Sequence, residues 1–77
     1  MVIILSKDAA KALRKINEPD YTRIKTAIAK IPFGDIKRLV NTSVAYRLRV
    51  GDWRILFDMN DKIEIHEILQ RGSAYKN

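Results

Sequence analysis

The residues with chemistry in them crowd into "YRLRVGDWR", positions 46–54. Arg47 and Arg49 alternate with Tyr46, Leu48 and Val50, the period of a half-buried strand. Gly51-Asp52 is a turn of the Gly-X kind, and Trp53-Arg54-Ile55-Leu56-Phe57 returns as the second strand of a hairpin. That turn pairs Val50 with Trp53, so Arg49 lies opposite Arg54 and Arg47 opposite Leu56. One face is then Tyr46, Leu48, Val50, Trp53, Ile55 and Phe57, and the other carries all three arginines. Like charges directly opposite on a sheet repel. A planar guanidinium fork binds two oxygens of a phosphate at once, so such a cluster becomes favourable when a polyanion arrives. The competing reading has the arginines splayed into solvent or paired with Asp52, Asp58 and Glu64, the usual fate of outer-face charges. For any one arginine the plain reading is the better; for three convergent ones phosphate is.

Other groups reach the same face. Arg71 joins it if the last strand is irregular, with Tyr75 just beyond and His66 on the adjacent strand. Imidazole changes charge near neutrality, so His66 is an acid–base candidate, although a lone histidine on a strand is more often a polar surface residue. Glu67 is either a second base or a salt-bridge partner. Tyr75 either stacks on a nucleobase and lends its hydroxyl, or packs as a terminal aromatic on the sheet edge. No glycine-rich phosphate loop, HExxH, Cys/His set or serine triad is present, so no cofactor and no metal is expected.

Several elements must position these groups. Val2 to Leu5 reads as a short buried strand. Ser6 caps a helix over Lys7 to Ile16 with Asp8 in its first turn and Ala9, Leu13 and Ile16 as its apolar stripe. Pro19 opens a second helix, in which Tyr21, Ile24, Ile28 and Ile31 recur at helical spacing until Pro32 stops it. The stretch from Phe33 to Val44 is irregular, with Ile36, Leu39 and Val40 expected to pack inward. After the hairpin, a three-residue turn at Asn60 to Lys62 pairs Met59 with Ile63 and Phe57 with Ile65, which keeps apolar opposite apolar. Unbroken alternation would then bury Glu67 and Arg71, so a β-bulge near Glu67 is expected to bring Leu69 and Arg71 to the outer face. The expected order is β-α-α-β-β-β. That is a two-layer α+β fold, an N-terminal strand and αα-hairpin packed on a mostly antiparallel four-stranded sheet.

Composition bounds the rest. The 77 residues suit one small domain, 1–77, with 47% apolar residues and no cysteine. Absence of disulfides fits a reducing cytoplasm. The start, "MVIILSKDAA", lacks the basic region of a signal peptide, and no segment is long enough to span a membrane. Fifteen Lys and Arg against nine Asp and Glu give +6, which suits nucleic acid or an acidic protein partner.

The segment "RLVNTSVAYRLRVGDWRILFDMNDKIEIHEILQRGSAY" resembles the RelE/ParE superfamily of type II toxins, which carries a "YRLRVGDYR"-like hairpin and a last strand ending in arginine with a tyrosine shortly after. The likeness extends over nearly the whole chain. It implies a ribosome-dependent mRNA endoribonuclease acting in the ribosomal A site without metal. The substrate's 2′-hydroxyl attacks the neighbouring phosphate, and translation stops. It also implies that Arg47 and Arg49 hold RNA, Arg54 binds the scissile phosphate, Arg71 stabilises the phosphorane charge, and Tyr75 stacks or assists proton transfer. Because arginine keeps its proton, either Tyr75, His66 or Glu67 transfers the proton or the site depends on charge stabilisation with ribosomal help. The implied partners are a cognate antitoxin, the ribosome and mRNA, with association into a higher-order toxin–antitoxin complex. The alternatives are a ParE-like inhibitor of DNA gyrase and a catalytically inactive nucleic-acid-binding relative.

Overall fold

The computed structural model describes residues 2–71; Gly72 to Asn77, Tyr75 among them, lie outside the described residues. Strand β1 (Ile3–Leu5) is followed by helix α1 (Lys7–Arg14) and helix α2 (Asp20–Ala29). Four more strands come next: β2 (Ile36–Arg38), β3 (Tyr46–Val50), β4 (Trp53–Met59) and β5 (Ile63–Gln70). They form one five-stranded sheet in the order β1-β5-β4-β3-β2. Strand β1 joins the sheet beside a later strand, as expected; the β1–β5 pair is parallel, and the other pairs are antiparallel. The fold is α+β, with one strand more than the sequence shows. The added strand, β2, pairs Ile36 with Leu48 and Arg38 with Tyr46. A strand of three residues is too short to display a period.

The helices cover one face. Ala9, Ile24, Ile28 and Ile31 meet Leu48, Ile55, Phe57, Ile63, Ile65 and Ile68 of the sheet in a continuous buried core. Phe57 is fully buried and stacks on Tyr46 with ring centroids 5.4 Å apart. The Trp53 indole, on the same face, donates from Nε1 to Asp20 Oδ2 at 3.0 Å and so fixes the start of α2 to the sheet. Three expectations of burial give way. Ile4 is exposed because β1 turns only Ile3 and Leu5 to the core, and Val2, which precedes the strand, and Val40 are exposed as well. Helix α1 stops at Arg14, short of Ile16, which nonetheless packs against the core.

Both turns hold the expected register. Val50 pairs with Trp53, Arg49 with Arg54 and Arg47 with Leu56, while Met59 pairs with Ile63 and Phe57 with Ile65. The register then shifts: Leu56 pairs with Glu67, which leaves His66 as the extra residue of a bulge. Ser6 ties that bulge to α1. Its hydroxyl donates to the His66 carbonyl at 2.7 Å and accepts from the Ala9 N–H at 3.0 Å, capping the helix. No helix among the described residues is long and apolar enough to cross a membrane.

Candidate functional site

Alternation along β3 and β4 puts Arg47, Arg49, Arg54, Leu56 and Asp58 on the face away from the helices. The cross-strand pairs add Lys37 beside Arg47, Leu69 beside Arg54, Glu67 beside Leu56 and Glu64 beside Asp58. Arg71 lies two residues past Leu69 on the same alternation. It is exposed, and its backbone N–H donates to the Asp52 carbonyl, extending the ladder. Arg47, Arg49, Arg54, His66, Glu67 and Arg71 are therefore on one face, while Tyr75 lies outside the described residues.

The three arginines have unlike surroundings. Arg54 is only 8% exposed, and its Nη1 donates to the carbonyls of Gly51 at 3.0 Å and Trp53 at 3.1 Å. It therefore braces the hairpin turn that carries it. The Arg49 side chain is 54% exposed and donates from Nε to Asp35 Oδ2 at 2.7 Å. Arg47 lies between these extremes, with Nη2 3.6 Å from Asp35 Oδ1 and a buried Nε that has no hydrogen-bond partner. The carboxylate facing Arg47 and Arg49 is thus Asp35, in place of the expected Asp52, Asp58 or Glu64. Asp58 and Glu64 are engaged elsewhere: Asp58 accepts the Ala45 N–H at 2.8 Å, and Glu64 lies 3.9 Å from Lys62 Nζ.

Asp35 went unseen in the sequence because it precedes a three-residue strand in an aperiodic stretch. The one available signal was the Gly34-Asp35 dipeptide, a turn signature. Gly34 has φ +129°, and a Cβ there would sit 3.2 Å from Leu48 Cδ1, so the position suits glycine. With the chain held there, the Asp35 carbonyl accepts the Arg49 N–H at 2.9 Å. Asp35 is consequently bound to Arg49 through both backbone and side chain.

At the other end of the face, His66 Nε2 is 2.9 Å from Asp58 Oδ2, and Asp58 Oδ1 is held by Ala45. A carboxylate on one ring nitrogen fixes the orientation of the imidazole. Asp58, Glu64 and His66 bring donor atoms within 4.8 Å of one another, a set of types that also suits a divalent cation. Here the His66–Asp58 and Lys62–Glu64 contacts engage those donors. Glu67 is exposed beside the bulge.

Comparison with solved structures decides the fold family. A chain of the RelB-RelE antitoxin–toxin complex from Methanococcus jannaschii matches with a TM-score of 0.78 and 28% identity, covering 94% of both chains. A chain of the archaeal RelE-RelB complex from Pyrococcus horikoshii matches with a TM-score of 0.72 and 25% identity, over 92% of this chain and 94% of that one. The chain carries the RelE-like toxin fold. No protein-family model and no curated protein sequence matches it. Within this fold, the β3–β4 hairpin bears Arg47, Arg49 and Arg54, and the bulge carrying His66 follows it in the chain.

Proposed function

We propose that this RelE-like protein, with residues 1–77 as one domain, is the toxin of a type II toxin–antitoxin pair that cuts mRNA in the ribosomal A site. The observation that carries the reading is the rung where Arg49 stands opposite Arg54, with Arg47 on the same face, on a RelE-like sheet. In the reaction the 2′-oxygen of one nucleotide attacks the adjacent phosphorus and expels the 5′-oxygen of the next, leaving a 2′,3′-cyclic phosphate. The 2′-hydroxyl proton passes to a base, and the departing 5′-oxygen takes up a proton. Charge builds on the phosphorus-bound oxygens in between, and preorganised cationic donors stabilise it most where water is excluded. Arg54, braced by two carbonyls, is suited to the scissile phosphate, and Arg47 and Arg49 to holding the strand. His66, oriented by Asp58, suits the proton transfer. Glu67 is the second candidate for it. The resemblance supports Arg71 as the group opposite the phosphorane charge and Tyr75 as the stacking or proton-donating residue.

The matched structures are RelB-RelE complexes, which supports a cognate antitoxin as partner here. A net charge of +6 suits an acidic or amphipathic segment that folds on binding, and such pairs can assemble further. The site of action is the cytoplasm, where ribosome and mRNA meet. Primer extension on an mRNA incubated with the protein, with and without translating ribosomes, tests the reading. Cuts confined to A-site codons and to the ribosome-containing lane are expected, and Arg71→Ala removes them. Intact mRNA in both lanes overturns the nuclease and directs the next assay to DNA gyrase.

A further inference from the structure

The arginine face of the free protein is already in contact with an anion, and that anion belongs to the chain. The two oxygens of Asp35 divide between two guanidiniums: Oδ2 takes the Arg49 Nε at 2.7 Å, and Oδ1 lies 3.6 Å from Arg47 Nη2. A phosphate with two free oxygens makes the same division, with more charge and more acceptor sites. The backbone of Asp35 is fixed by the Arg49 N–H at 2.9 Å and by the glycine before it, whereas the side chain is 47% exposed, so that its contacts with the two arginines can be exchanged for others without moving the backbone. Arg47, with a buried Nε that no acceptor meets, is incompletely satisfied in this arrangement.

We infer that Asp35 is an internal competitor for the phosphate backbone, a specificity-setting carboxylate that polyanions must displace before Arg47 and Arg49 engage them. This rests on the reading of the face as a phosphate-binding surface. In consequence an isolated anion gains little by displacing Asp35, because one carboxylate contact is exchanged for one phosphate contact. A strand presenting several phosphates also reaches Arg54 and Arg71 and gains the difference. The face therefore favours polyanions over free phosphate or nucleotides, and it keeps its arginines from pairing indiscriminately.

The test measures binding of a fluorescein-labelled single-stranded RNA oligonucleotide to the full chain across a salt series. The variants are Asp35→Asn, Asp61→Asn and Arg49→Ala, each checked for folding by circular dichroism. Asparagine keeps the shape of Asp35 and leaves its backbone bond to Arg49 intact. Asp61→Asn removes the same charge from the β4–β5 turn and controls for net charge alone. Asp35→Asn is expected to tighten binding by roughly threefold to thirtyfold. It is also expected to steepen the salt dependence by close to one counterion, as one further guanidinium is neutralised only by phosphate. Asp61→Asn is expected to change affinity less than Asp35→Asn does. Weaker or unchanged binding by Asp35→Asn, alongside a loss in Arg49→Ala, overturns the competitor and leaves the phosphate-binding face standing. Equal gains from the two aspartate variants also overturn it, since net charge then suffices. Unchanged binding in Arg49→Ala removes the face itself, and the inference with it.

Discussion

Arg49 and Arg54 share a rung of the sheet, yet they are held for different reasons. Arg54 is buried and hydrogen bonded to two turn carbonyls, whereas Arg49 is half exposed and paired with a half-exposed carboxylate. Truncating a buried donor strands its acceptors, at a cost of about 1–3 kcal/mol. An exposed ion pair contributes about 0–1 kcal/mol. Arg54→Ala should therefore lower both the urea midpoint and cleavage. Arg49→Ala should weaken RNA binding with a midpoint close to that of the parent, and equal losses of stability would contradict this division. The same scale holds the His66–Asp58 pair. Asp58→Asn keeps an oxygen for the Ala45 N–H but no longer fixes the imidazole as a carboxylate does. If His66 moves the proton, His66→Ala and Asp58→Asn each slow single-turnover cleavage by roughly a hundredfold to ten-thousandfold. Because the two groups act as one unit, the double variant should be no slower than His66→Ala. An additive double variant would assign the chemistry elsewhere.

At the scale of elements, the bulge is what lets one strand serve both faces. Ile65 and Ile68 both point into the core although three positions separate them, and only an extra residue between them permits that. Deleting His66 leaves Ile65, Glu67 and Ile68 in plain in–out–in alternation. The chain should still fold, losing about 1 kcal/mol with the Ser6 hydrogen bond. Deleting Leu56 from the opposing, unbulged strand turns Ile55 or Phe57 outward and should abolish the cooperative unfolding transition in urea. Comparable behaviour of the two deletions would mean that the bulge does not set the register. This device was legible in the sequence, because a strict period from Ile63 onward would have buried Glu67 and Arg71. The hairpin was legible for a related reason: Gly51-Asp52 admits one pairing that puts apolar opposite apolar. What could not be read was set by contacts distant in sequence. Strand β2 exists because it pairs with β3, its three residues carry no period, and Asp35 entered the site with it. Val40 reads as a core residue and is exposed, since nothing local records which side of an aperiodic stretch meets the sheet.

The whole molecule divides its labour between two sides of one sheet, and the apolar side is thin. The buried cluster is supplied by two short helices and the inner face of the sheet, in a chain of 77 residues. A core of this size rarely contributes more than about 3–5 kcal/mol of net stability. Phe57 sits at its centre, fully buried and stacked on Tyr46. Phe57→Ala removes about 3–5 kcal/mol, comparable to the whole margin. The variant should show no folded baseline in thermal melts followed by circular dichroism. Val40→Ala, at a site 77% exposed, should melt with the parent. A ligand that binds only the folded chain restores RT ln(1 + [L]/Kd), or about 4 kcal/mol at a thousandfold excess over Kd. The cognate antitoxin is such a ligand under the proposed function, so adding it should return the Phe57→Ala variant to the folded signal. A sharp melt of that variant without any partner would show that the core has stability to spare. In that case the free toxin would stay folded after its antitoxin is lost, and its activity would be limited by occupancy of the arginine face rather than by folding.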